Sequence, residues 1–154
     1  MFTKRRQDKT QSKNEKFMSD IDTYYSNLKD ITKKNEKFIE KAAEIATKST
    51  MQQKHGAIIV YKNNIIASGY NYSCSYMNNN YSIHAEVAAI SQLFYNKKLL
   101  ELCDIYVVRI APAFNNCLKN SKPCRNCTNF IKKYNLRNIY YSTNDRYDSL
   151  CLNI

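Results

Sequence analysis

The order of helical and extended patterns along the 154-residue chain predicts an α/β layered fold with a mixed sheet. Two compact runs, Gly56–Tyr61 and Ile65–Gly69, flank a turn and indicate an antiparallel hairpin. A buried run at Asp104–Ile110 is followed by a helical pattern and then by the short run Asn138–Ser142. That order is typical of a parallel strand–helix–strand crossover, so strands of both directions share one sheet.

The amino-terminal part contains a tail and then two helices. Residues 1–16 hold one apolar side chain beyond the first methionine, so we expect a disordered basic tail followed by a single domain over 17–154. Apolar steps of three and four predict helices at Phe17–Ile31 and Asn35–Ser49. No apolar segment follows the basic start, which argues against a secretory signal.

The same spacing rules assign the rest of the chain. Helices are predicted at His84–Asn96 and at Pro123–Tyr134, where the proline suits a first helical position. The polar stretch Asn71–Ser82 and the segment Ala111–Lys122 are predicted to be loops. Four strands are clear, and a fifth would have to come from Arg146–Asn153.

Composition limits the classes of function. The formal net charge is +11, and residues 97–154 carry 10 basic and 4 acidic groups, which suggests an anionic partner such as a nucleotide or nucleic acid. A second explanation stays open, because abundant Lys, Asn, Ile and Tyr also follow from A/T-rich codons. The apolar stretches are too short to span a bilayer, so no membrane role is expected. Without an export signal, the six cysteines indicate a reducing, cytoplasmic setting and suggest metal ligands or buried thiols.

Cys124 and Cys127 form a C-x-x-C pair at the start of a helix, a spacing typical of half a zinc site. A zinc ribbon would need a second close pair, and a redox motif usually follows an early strand. A third ligand is available in His84, which starts its own helix 40 residues upstream. Three protein ligands with a free fourth position describe a catalytic zinc, and Glu86 can then sit beside that position and move protons.

The pattern H-x-E followed by P-C-x-x-C is the signature of zinc nucleobase deaminases. The chain resembles the cytidine and deoxycytidylate deaminase superfamily over about Phe38 to Ser142. Three further pieces carry the resemblance: Lys54-His55-Gly56-Ala57, Gly69-Tyr70-Asn71 and Ser121-Lys122 before Pro123. Lys122 departs from the Glu-Pro-Cys of tRNA adenosine deaminases, which argues against adenosine chemistry.

The resemblance implies a role for each matching residue. His84, Cys124 and Cys127 would bind one Zn²⁺ per chain, and Glu86 would shuttle protons. Two further positions would touch the substrate: the Asn71 side chain would hydrogen-bond its base or sugar, and the Ala85 backbone N–H would help hold the base.

The implied fold is a three-layer α/β/α arrangement with a mixed sheet of about five strands, cytidine deaminase-like. The implied activity is hydrolytic deamination of a cytosine nucleoside or nucleotide, in a homo-oligomer as relatives commonly form. Two alternatives remain at this stage: an editor of tRNA or single-stranded nucleic acid, and a catalytically inactive zinc-stabilised binding module.

Overall fold

The computed structural model describes residues 18–20, 23, 26, 32–77, 79–144 and 146–151. Its contacts divide the chain into two units, Met1–Asn35 and Glu36–Ile154. The expected tail at 1–16 lies outside the described residues, as does most of the helix expected at Phe17–Ile31. The division of the chain into a tail and one domain therefore stays a prediction.

The secondary structure of the described chain is as follows: α1 (32–46), β1 (Lys54–Tyr61), β2 (Asn64–Tyr70), β3 (Tyr72–Tyr76), β4 (Asn79–Ile83), α2 (Ala85–Ser91), α3 (Lys97–Leu100), β5 (Asp104–Ala111), a 3₁₀ turn (Pro112–Phe114), β6 (Cys117–Lys119), α4 (Arg125–Lys133), β7 (Asn138–Ser142) and β8 (Tyr147–Cys151). Within these residues no helix is long and apolar enough to cross a membrane.

The main sheet is mixed, as the sequence predicted. Its strand order is β2-β1-β5-β7-β8, and β6 pairs with β5. β5 and β7 run parallel on either side of α4 in the chain, and the other strand pairs of this sheet are antiparallel. The strand expected within Arg146–Asn153 is present as β8, so the sheet has six strands in all.

Two apolar clusters cover the two faces of the sheet. Alternating side chains of β1 and β5 divide between them: Ala57 and Val107 belong to the cluster that includes α2 and α4, whereas Ile58 and Val108 belong to the cluster that includes α1. Successive residues of a strand point to opposite faces, so continuous apolar runs serve both layers. This arrangement confirms the expected α/β/α layering.

Both glycines of the chain lie where a helix backbone touches a strand. A Cβ atom on Gly69 would lie 2.5 Å from the backbone nitrogen of Ala89 and 2.8 Å from the Cβ of Ala88, both in α2. A Cβ on Gly56 would collide with the backbone of Ala42 in α1. Because glycine has no side chain, each helix can approach the sheet this closely.

Replacement of Gly69 with alanine is expected to lower the free energy of unfolding by about 1–3 kcal/mol, the usual cost of overpacking a core. The neighbour is helix backbone, which cannot rotate away. Urea denaturation followed by circular dichroism measures the change. Ser91→Ala, an exposed substitution at the end of α2, is the control. Equal stability of the Gly69→Ala variant and the parent would contradict this packing.

Three local predictions from the sequence are wrong. The expected loop Asn71–Ser82 is an antiparallel hairpin of β3 and β4, since its tyrosines favour strands and Met77 turns the chain with φ 47°. The expected loop Ala111–Lys122 contains a 3₁₀ turn and β6. The expected helix His84–Asn96 ends at Ser91 and is followed by the separate α3.

Candidate active site

The three predicted metal ligands lie together although 40 residues separate the first from the second. The Nδ1 atom of His84 is 3.2 Å from the Sγ atom of Cys127 and 3.8 Å from that of Cys124. All ligand atoms of this group lie within 4.8 Å of one another. The structure therefore brings together the histidine and the C-x-x-C pair as a single cluster.

Two helix starts explain how the cluster forms. His84 is the N-cap residue of α2 and Cys124 is the N-cap residue of α4, and both have extended backbone conformations. The sulfur of Cys124 accepts a hydrogen bond from the backbone N–H of Cys127 at 3.5 Å, which is the bond that a serine cap usually makes. Because Cys124 caps the helix, the expectation that Pro123 takes the first helical position is wrong; the proline precedes the cap.

The donor set fits zinc. Tetrahedral coordination with the usual Zn–N and Zn–S bond lengths places nitrogen and sulfur about 3.6 Å apart, and the two observed distances lie on either side of that value. One imidazole and two thiols are ligands that zinc prefers, and they leave a fourth position free. His84, Cys124 and Cys127 can therefore hold one zinc ion.

Cys127 needs a cation beside it in order to ionise. Burial raises the pKa of its thiol, and the neighbouring Glu86 carboxyl and Cys124 raise that pKa further. A bound divalent cation reverses this effect, because it favours the thiolate over the thiol. Metal binding at this cluster is therefore accompanied by proton release from the sulfur.

Glu86 lies in the first turn of α2 and is only 5% exposed. Burial raises the pKa of its carboxyl group, while an interaction with its own backbone and the charge of His84 lower it in part. A buried carboxyl that holds its proton more tightly than usual is suited to accept a proton and return it during a reaction. Its side chain also reaches Cys127, so it stands beside the ligand cluster.

A cavity of about 490 Å³ opens onto this cluster. Its volume lies within the range typical of sites for small molecules. The residues that line it are Met51, Gln52, Gln53, His55, Asn71, Ser82, His84, Ala85, Glu86, Ser121, Lys122 and Cys124. Five of the six predicted site residues thus line one cavity, while Cys127 is buried and does not line it.

Asn71 lines the cavity, but its amide group already has partners in the protein. Its Oδ1 accepts a hydrogen bond of 2.8 Å from the backbone N–H of His55, and its Nδ2 donates to the carbonyl of Gln53 at 2.7 Å. The same nitrogen lies 3.4 Å from the sulfur of Met51. In this structure Asn71 therefore shapes the wall formed by residues 51–55, and its predicted contact with substrate stays a prediction.

Two serines that the sequence analysis did not single out as site residues hold the segment before Cys124. Ser121 donates from Oγ to the carbonyl of Val107 at 2.8 Å, and its Oγ lies 2.9 Å from that of Ser142. Ser142 donates in turn to the carbonyl of Lys119 at 2.6 Å. Both serines are buried, and this network connects the cysteine-bearing segment to β5 and β7. The sequence feature that could have pointed to Ser121 is its position two residues before Pro123-Cys124.

The fold and the ligand cluster together define the class of zinc-dependent nucleobase deaminases. Residues 32–143 match the family model described as the cytidine and deoxycytidylate deaminase zinc-binding region. The chain belongs to this family and is a hydrolytic deaminase that acts on C–N bonds. Comparison with curated proteins finds no match.

Solved structures share the fold. The apo dCMP deaminase from the cyanophage S-TIM5 is 21% identical with a TM-score of 0.52, over 70% of this chain and 80% of that one. Cytidine deaminase from Burkholderia pseudomallei is 16% identical with a TM-score of 0.57, over 74% and 89%. Cytidine deaminase from Mycobacterium leprae is 16% identical with a TM-score of 0.51, over 73% and 90%. At these identities the similarity establishes the fold.

Proposed function

We propose that the chain removes the exocyclic amine from a cytosine-containing nucleoside or nucleotide and releases ammonia. The observation that carries the proposal is the buried Glu86 carboxyl beside the His84–Cys124–Cys127 cluster, at a cavity of about 490 Å³. A zinc-stabilised binding module has no need of a buried acid at this place, where burial costs free energy.

Each residue has a defined part in the proposed reaction. A zinc ion held by the cluster would lower the pKa of water to about 7 and so supply a nucleophile at neutral pH. Glu86 would accept one proton of the attacking water and pass it to N3 of the pyrimidine. It would then take the remaining hydroxyl proton as the C4=O bond forms and the C4–N bond breaks, and give it to the departing amine. The backbone N–H of Ala85, at the first position of α2, donates a hydrogen bond to the base.

The cavity volume of about 490 Å³ suits a small substrate, and Asn71 forms part of its wall. Asn71 holds residues 51–55 in place through its side-chain amide, and we propose that it also hydrogen-bonds the base or sugar of the substrate. The five cysteines whose side chains the structure describes are free thiols, and we propose an intracellular, reducing setting. A homo-oligomer is proposed from the family alone.

The test is a substrate panel. Purified protein supplied with zinc is incubated with cytosine, cytidine, deoxycytidine, CMP, dCMP, adenosine, guanine and short RNA, and ammonia release is followed. We expect release from the cytosine nucleosides or nucleotides. Release from RNA alone would favour an editor, and release from none would favour the binding module. Both results would overturn the proposal.

A further inference from the structure

The face of the sheet that carries the active site continues beyond it as a row of basic side chains. His55 of β1 stands opposite Arg109 of β5, and Arg109 stands opposite Lys119 of β6. Residues directly opposite in antiparallel pairs project from the same face. Ala57 lies two residues after His55 in β1, and Val107 lies two residues before Arg109 in β5. Residues two apart in a strand share a face, and Ala57 and Val107 belong to the core cluster under α2 and α4, so the row lies on the same side of the sheet as those helices.

The row of His55, Arg109 and Lys119 reaches the cavity at His55, and the cavity wall contains one further basic side chain, Lys122. His55 and Lys122 both line the cavity. Burial is the main cause that lowers the pKa of His55, and the charges of Arg109 and His84 also lower it. The imidazole therefore lies close enough to interact with both Arg109 and the ligand cluster. Lys122 therefore borders the proposed reaction site, and Arg109 lies next to it on the sheet through its pairing with His55.

These cations have no carboxylate partner in the described part of the chain. The three ion pairs found there all involve other residues. Among the described residues that line the cavity, Glu86 is the sole acidic one, and it is buried against the ligand cluster. Arg109, Lys119 and Lys122 thus leave positive charge available to an anionic ligand.

Backbone hydrogen bonds fix the chain at two of these positions. The N–H of Arg109 donates to the Oγ of Ser142 at 3.1 Å, and the N–H of Lys122 donates to the Oδ1 of Asn120 at 2.9 Å. Arg109 and Lys119 are both partly buried in the sheet. Partial burial limits the freedom of the Arg109 and Lys119 side chains, which reduces the ordering cost of binding an anion.

We propose that Arg109, Lys119 and Lys122, with His55 between them and the ligand cluster, bind the 5′-phosphate of a nucleotide whose base occupies the cavity. The planar guanidinium of Arg109 suits two-point contact with phosphate oxygens, and the lysines add point charges. The inference rests on the proposed function and deepens it, since it makes a nucleoside monophosphate the preferred substrate over the free nucleoside.

The experiment compares CMP with cytidine, and dCMP with deoxycytidine, in the zinc-loaded full chain. We expect Arg109→Gln and Lys122→Gln each to lower kcat/KM for the monophosphates by about 10- to 100-fold, the usual effect of losing a hydrogen bond to a charged group. The loss with the nucleosides should be far smaller. Lys98→Gln removes the same charge from an exposed helix position outside the cavity and is the matched control. Lys122 is exposed, so its variant tests the site even if Arg109→Gln fails to fold.

A binding measurement separates the two proposals. Calorimetric titration with CMP and with inorganic phosphate needs no turnover, and we expect both to bind the parent protein and to bind the Lys122→Gln variant more weakly. Such binding without deamination would refute the proposed function and support the phosphate site. Equal kcat/KM for CMP and cytidine in the parent, or equal losses with both in the variants, would overturn the phosphate site and leave deamination intact. In the Arg109→Gln and Lys122→Gln variants, weaker binding of short RNA together with unchanged binding of CMP would also overturn the proposed phosphate site.

Discussion

Replacement of Glu86 with glutamine is expected to lower kcat by about 10²–10⁴-fold, the range attributed to general acid–base groups, or more. Glutamine keeps the shape of the side chain but has no proton to exchange, and Glu86 serves every proton transfer of the proposed reaction. Zinc content should stay at that of the parent, because the carboxyl is not a ligand. Ammonia release and metal analysis by atomic absorption measure the two effects.

A matched substitution separates loss of this carboxyl from a general effect of charge. Glu40 lies exposed on α1, and Glu40→Gln should leave kcat and zinc content unchanged. Normal turnover by the Glu86→Gln variant would remove the role assigned to this side chain. A variant that lost zinc together with turnover would instead show that Glu86 supports the ligand cluster.

Replacement of Cys124 with alanine is expected to abolish both zinc binding and activity. The substitution removes one of three protein ligands and also the sulfur that caps α4. Loss of a direct ligand should cost more than the about 10- to 100-fold in affinity that loss of an outer partner costs. Metal analysis after dialysis, followed by the ammonia assay with zinc added back, measures the outcome.

Cys74 offers the control for this experiment. It is a half-buried free thiol on β3, outside the ligand cluster, and Cys74→Ala should keep the zinc and the activity of the parent. A full zinc complement in the Cys124→Ala variant would refute the ligand assignment. Because the cap is lost as well, circular dichroism of the variant distinguishes loss of metal from loss of helix α4.

The elements predicted most accurately are those in which the local pattern and the tertiary environment demand the same residues. The hairpin of β1 and β2 follows from its β-branched runs and central turn, and β5 follows from a run that is apolar on both faces. In contrast, the hairpin of β3 and β4 is largely exposed, so no apolar alternation marks it. Its polar sequence is typical of a loop, and only the cross-strand pairing shows that it forms two strands.

The site shows the same division between local and long-range information. The residue types and spacings of His84, Glu86, Cys124 and Cys127 are visible in the sequence because ligand chemistry restricts which side chains can serve. The occupied amide of Asn71 and the buried Ser121–Ser142 pair are not visible in it, because their partners lie between 14 and 33 residues away in the chain.

The sequence by itself predicted the layered fold class, the candidate metal ligands and the carboxylic acid beside them, since hydrophobic periodicity and metal chemistry act through residue identity. Only the tertiary structure decided that His84 and Cys124 meet as caps of two helices, and that basic side chains from three strands align on one face. Strand register and helix packing produce these neighbours, and both depend on how distant segments exclude water together.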